Sequence, residues 1–177
     1  MVARVQRGGV VLPDQACVFE DGKELKVVAL LPEKGDYELL LFSQDAETDN
    51  AHFGSVFIHS TRGATGLLPD YRTSFFEQGL ALENPDQGLF LVQDEAVVRV
   101  SRTSNEVRVT ANLVNAEGEV QKQMVLVNDK GEQGVEILAR CPKPGRYQLC
   151  LFAGSGSSEL TFVAALRVEA SKAGPQF

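Results

Sequence analysis

The chain matches itself. Shifted by 110 positions (Ala29 onto Ala139) and without a gap, ALLPEKGDYELLLF at 29–42 falls on ARCPKPGRYQLCLF at 139–152, and seven of these fourteen positions are identical. They are the pairs Ala29/Ala139, Pro32/Pro142, Gly35/Gly145, Tyr37/Tyr147, Leu39/Leu149, Leu41/Leu151 and Phe42/Phe152. The register holds upstream at Gly8/Gly118 and Val10/Val120, and downstream Val56-Phe57-Ile58 lies over Leu166-Arg167-Val168. Such a match predicts two copies of one fold. The counterpart of residues 76–110 would fall before residue 1, so the first copy is expected to lack its opening strands. A sheet short of strands exposes an apolar face and unpaired edges, a liability that folded domains cover. The expectation is a piece of a longer protein, or a first copy completed by a partner, for example in a homodimer.

The apolar pattern is of period two or in short continuous runs, which selects strands over helices. Examples are AVVRVSR at 96–102, VRVTANLV at 107–114, MVLV at 124–127, GVEILA at 134–139, RYQLCLFA at 146–153 and LTFVAALRV at 160–168. Turn formers separate them: Asn115-Ala-Glu-Gly118, Asn128-Asp-Lys-Gly131, Pro142-Lys-Pro-Gly145 and Gly154-Ser-Gly156. With GLFLVQ at 88–93 this gives about seven strands between residues 80 and 170, the complement of a small immunoglobulin-like sandwich. The expected fold is all-β: tandem immunoglobulin-like β-sandwiches, the first incomplete at its N-terminus. Residues 1–60 form the partial copy, 61–79 a linker, 80–170 the complete copy and 171–177 a tail. The linker carries Tyr71, Phe75 and Phe76, so it is expected to pack on one or both domains rather than to act as a polar tether.

The shared core reads Pro-x-x-Gly-x-Tyr-x-Leu-x-Leu-Phe. Pro32 and Pro142 end the preceding strand because proline cannot donate to a ladder. Gly35 and Gly145 give the backbone freedom for a corner. Tyr37 and Tyr147 then fit a tyrosine corner, whose hydroxyl bonds back to upstream backbone. In antibody domains a cysteine follows two residues later; here Leu39 and Leu149 stand there, so packing alone must hold the two sheets.

Composition excludes several roles. The 24 acidic and 17 basic residues give a net charge of −7, without the basic surplus that binding to phosphate backbones or anionic lipid needs. Neither nucleic acid nor membrane is an expected partner. The three cysteines (Cys17, Cys141, Cys150) and two histidines are too few and too scattered for a zinc site, and an odd count does not make a disulfide framework. No segment approaches the roughly 20 apolar residues that span a bilayer. The expected setting is cytoplasmic.

The corner motif, the repeat of about 110 residues and the linker Leu68-Pro-x-Tyr71-x-x-x-Phe75 resemble the immunoglobulin-like repeats of kyphoscoliosis-peptidase and hillarin-type proteins. That family pairs a transglutaminase-like peptidase core with tandem sandwiches and is linked to the cytoskeleton. The resemblance covers residues 1–170 and implies an accessory module without the catalytic core. The expected function is therefore protein–protein interaction or domain spacing in a larger cytoskeleton-associated protein. The alternatives are an accessory part of a cysteine peptidase whose core lies outside the chain, and a carbohydrate-binding sandwich. Three tyrosines and no tryptophan weigh against the latter.

A transglutaminase-like core needs a Cys nucleophile, a His base and an orienting Asp. Cys17, His52 or His59, and Asp70 occur in that order. Cys17, however, lies between two turns and over Val127 of the repeat, not at the start of a helix. It is expected to be a structural thiol, and the chain is not expected to be an enzyme. Cys141 and Cys150 correspond to Leu31 and Leu40, so packing explains them better than a mutual disulfide. Asp45, Glu47, Asp49 and Asn50 alternate like a calcium loop but lack its Gly and closing Glu. No catalytic, cofactor-binding or metal-binding residue is assigned, and no cofactor is expected.

Overall fold

The computed structural model describes residues 1–13, 15–21, 24–45, 48–63, 68–83 and 88–177. The chain divides into two units, Met1–Leu68 and Pro69–Phe177. Both are built from strands. Among the described residues no helix is long and apolar enough to cross a membrane.

The first unit holds six strands: β1 (Val2–Arg7), β2 (Val10–Leu12), β3 (Ala16–Asp21), β4 (Glu24–Ala29), β5 (Gly35–Asp45) and β6 (Thr48–Ser60). They form an antiparallel sheet in the order β2-β1-β5-β6 and a separate β3-β4 hairpin. Gly8 and Gly9, at φ +57° and +81°, make the two-residue turn between β1 and β2 that such positive values favour. Ala3, Val5, Tyr37 and Leu39 are buried between sheet and hairpin, with Val18, Val27, Ala29, Leu31, Leu41 and Ile58 packed partly buried around them.

The second unit is larger: β7 (Asp70–Tyr71), α1 (Thr73–Glu77), β8 (Leu80–Leu82), β9 (Leu89–Val92), β10 (Glu95–Arg102), β11 (Val107–Asn115), β12 (Val125–Asp129), β13 (Val135–Arg140), β14 (Gly145–Ser155) and β15 (Thr161–Ala170). One sheet runs β12-β13-β10-β8 and the other β11-β14-β15-β7, with β9 lying parallel beside β15. Alternation sets the core, as period-two patterning requires. Ala96, Val98 and Val100 of β10 and Val135, Ile137 and Ala139 of β13 all point inward and are at most 3% exposed. Gly134 at φ +92° lets β13 meet β10: a Cβ there would come within 2.3 Å of the Val100 carbonyl oxygen.

The two units share a register. β5 and β14 begin 110 positions apart, Leu39 faces Val56 as Leu149 faces Leu166, and both hairpins shift register at the same place, Leu41/Phe42 and Leu151/Phe152. The β3-β4 pair matches β12-β13 with a slip of one: Val18 lies opposite Val27 as Val127 lies opposite Ile137, so Val18 rather than Cys17 takes the place of Val127. The expected linker divides at the unit boundary. Residues 69–79 belong to the second unit, where Phe75 is 1% exposed and Tyr71 and Phe76 pack against the core. The residues from 171 onward also join this unit, through Gly174 N–H to the Cys141 carbonyl at 2.7 Å and Arg140 over the Phe177 ring at 3.9 Å.

Candidate interaction surface

Positions matched by the repeat are sealed in one unit and partly open in the other. Val135, Ile137, Ala139 and Cys141 are 0–3% exposed because β10 pairs along β13 in the register Val100↔Val135 to Glu95↔Arg140. Their counterparts are Leu25, Val27, Ala29 and Leu31. Leu25 is 46% exposed and the other three are half-buried. Among the described residues β4 pairs with β3 alone, which leaves its outer edge without the partner that β10 supplies to β13.

The last strand repeats the contrast. β15 is flanked by β7 and β9 and packed by α1, whose Phe75 and Phe76 form with Tyr71 a cluster of rings 4.9–5.2 Å apart. Val163 and Leu166 are fully buried there. Their counterparts on β6, Phe53 and Val56, are 55% and 48% exposed, and Phe57 is 81% exposed. Among the described residues β4 and β6 are thus both edge strands, and each carries large apolar side chains that water reaches.

Both tyrosine corners form. The Tyr37 hydroxyl accepts from the Glu33 N–H and donates to the Glu33 carbonyl, each at 2.9 Å, and the Tyr147 hydroxyl donates to the Lys143 carbonyl at 2.9 Å. Burial is the largest cause that pushes the Tyr147 hydroxyl above its ordinary value. A recess opens beside each corner, of about 220 Å³ at Gly8, Tyr37 and Phe57 and about 480 Å³ at Glu117, Lys143 and Tyr147. In the first unit Arg7 closes on the corner: it pairs with Glu33, donates to the Lys34 carbonyl at 3.1 Å and lies over the Tyr37 ring at 5.5 Å. The second unit has Glu117 at that sequence position.

The residues of the hypothetical triad go to separate tasks. Cys17 lies mid-strand opposite Val28; His52 bonds Ser55 at 3.0 Å beside the Phe42 ring; His59 pairs with Asp36 at 2.6 Å. Asp70 belongs to the other unit, where Arg72 donates to it. The α-helix among the described elements, α1, spans five residues and carries none of them. None of the three cysteines is in a disulfide. Cys141 is fully buried, and burial first, then the nearby Asp94 carboxylate, pushes its thiol up to about 11. Cys150 is pushed up by burial and then by Asp70, so both resist forming the thiolate. The alternating acids of the loop at 45–50 lie outside the residues whose side chains are described. Among the described residues no cluster of three metal-ligating side chains occurs.

The open edges escaped residue-by-residue reading. Leu25 and Val56 look like ordinary core residues of alternating strands; among the described residues β4 has no neighbour in the place of β10, and β6 none in the places of β7 and β9, and this leaves them at the surface. Residues 67–177 match the family model of the KY-like, immunoglobulin-like domain. No curated protein matches the chain.

Proposed function

The chain belongs to the KY-like immunoglobulin-like domain family, and from that premise we propose that it is a non-catalytic, tandem β-sandwich module that holds a protein partner in a larger, cytoskeleton-associated, transglutaminase-like protein of the cytoplasm. One observation supports this reading above the others: core-type residues of β4 and β6 stand exposed where their counterparts in the second unit are sealed. Burying such side chains stabilises by about 25 cal/mol per Å² removed from water, so a partner strand or face gains by covering them. Catalysis has no comparable support, because the thiols with shifted values are moved away from reactivity.

The test is a photo-reactive phenylalanine analogue placed at Leu25, or at Leu91 of β9 as a control that is 73% exposed, in cells that make the protein. A discrete protein adduct is expected from Leu25 alone. The identified partner, purified, should lose binding to the Leu25→Asp chain and keep it to the Leu91→Asp chain. Equal adduct patterns from both positions would overturn the reading.

A further inference from the structure

The alternation that fills the core of the second unit also decides what the outer face of the sheet β12-β13-β10-β8 carries. Ala96, Val98 and Val100 of β10 and Val135, Ile137 and Ala139 of β13 point inward. Their neighbours point outward, and the register sets Leu126, Leu138 and Val97 side by side in one row across three strands. Leu126 and Val97 are 41% and 40% exposed and Leu138 is half-buried, so water reaches the row. Charges flank it on both sides. On one flank Arg99 donates to Glu136 at 3.1 Å, and on the other Arg140 donates to Glu95 at 2.8 Å. Glu83 and Lys130 extend the first flank with the same alternation of sign. The Phe177 ring, 40% exposed and 3.9 Å from the Arg140 guanidinium, adds apolar area to the second. Along β10 the cation and anion thus lie on opposite sides of the row, and along β13 their order is reversed.

We propose that this outer face binds the same face of a second copy of the chain, about a twofold axis that runs along the apolar row. Rotation about that axis sets Leu126, Leu138 and Val97 each against itself. It also exchanges the flanks, so Arg99 faces Glu95 of the second copy and Glu136 faces its Arg140, while the pairs within each chain are kept. Such self-complementarity is what a closed dimer requires. The flanking charges lie about 7 Å from the axis, so the usual angle of about 30° between stacked sheets keeps these long side chains in reach. An axis along the strands does less. Placed on β13, it sets Glu136 against Glu136 and Arg140 against Arg140. Placed between β13 and β10, it pairs the charges but leaves Leu126 facing no described residue of β8, which ends at Leu82. A four-strand face of about 19 Å by 20 Å buries about 800 Å² in the dimer, below the roughly 1,200 Å² of stable complexes. The association is therefore weak and concentration-dependent.

Paired reversals test this. Arg99→Glu with Glu136→Arg reverses one flank, and Glu95→Arg with Arg140→Glu reverses the other; each keeps its pair within the chain with the signs exchanged. The full ¹⁵N-labelled chain is diluted from about 1 mM and followed by amide shifts and sedimentation. The native chain is expected to show a monomer–dimer equilibrium with concentration-dependent shifts on β10, β12 and β13. Each reversed chain meets like charges in its own copy and should associate about tenfold more weakly or not at all. Mixing the two reversed chains restores opposite charges at every contact, and a heterodimer of native strength should form. Leu126→Asp, an exposed change on an edge strand, should abolish the association with no charge pair touched. A native chain that stays monomeric, shifts confined to β4 or β6, or reversed chains that each associate like the native one would overturn the proposal. So would two folded reversed chains that fail to bind each other, or a Leu126→Asp chain that dimerises unchanged.

Discussion

The two units are close to a controlled experiment in what a sandwich needs. Both have the corner tyrosine, the long β5 or β14 hairpin with the same register shift, and a two-strand layer packed across it. They differ in the strands preceding that common part. With β7 to β10 in place, the second unit buries Leu113, Ile137, Leu149, Leu151, Val163, Leu166 and Val168 completely. The first buries only Val5 below 2% among its described apolar side chains. The comparison teaches that hairpin and corner specify the local topology, while the dryness of the core comes from the flanking strands. A domain can thus keep its register and still leave core-type residues open to water.

The sharpest way to break this comparison is a matched pair of truncations. Ile137→Ala removes a fully buried side chain and should cost about 2–5 kcal/mol of the second unit's stability. Val27→Ala at the matched position removes a half-buried one and should cost the first unit less than about 1 kcal/mol, because water already reaches the site. Urea unfolding of the full chain, with amide exchange read separately for β13 and β4, assigns each loss to its unit. Equal losses would mean that β4 is covered in solution.

Much of this architecture can be read from the residues. Alternation places the strands from β9 onward to within one or two residues, and the Pro-x-x-Gly-x-Tyr spacing places both corners. What could not be read follows from chain–chain geometry. β8 is three residues long, too short to show a period, and α1 is five residues held by packing rather than by a helical stripe. Tyr71, Phe75 and Phe76 read as a linker because nothing local says that Ala164 and Ala165 of β15 leave room for them. Cys17 reads as the counterpart of Val127 because an ungapped shift does not show a one-residue slip in β3. The open edge belongs to the same class, since exposure is decided by strands distant in sequence.

A smaller effect tests whether the corner does the same work in both units. Tyr37→Phe and Tyr147→Phe each remove a hydroxyl and leave the ring. Loss of a hydrogen bond of this kind costs about 0.5–1.5 kcal/mol. Tyr37 should sit at the upper end, since its hydroxyl serves both the N–H and the carbonyl of Glu33, whereas Tyr147 serves the Lys143 carbonyl. Denaturant midpoints give the order; a larger loss at Tyr147 would show that burial, not the number of bonds, sets the value of the corner.

The smallest contrast lies just before the corner proline, where the second unit has Cys141 and the first has Leu31. A leucine cannot titrate, so an alkaline effect at this position is confined to the second unit. The Cys141 thiol is held near 11 in the folded chain, against an ordinary value of 9.0, by burial and by Asp94. Below pH 9 the thiol is protonated in folded and unfolded chains alike, and its contribution is fully present. As pH rises from 9 towards 11 the unfolded chain releases this proton while the folded chain keeps it, so stability falls with pH across that window. The raised Tyr147 hydroxyl acts with the same sign. Unfolding midpoints compared at about pH 8.5 and 10.5 should therefore drop more in the native chain than in Cys141→Ala, although the variant starts lower because it leaves a small cavity. The difference of slopes removes that starting loss and isolates the proton. Parallel slopes would place Cys141 in contact with water, and the seal that distinguishes the second unit would then not extend to this end of β13.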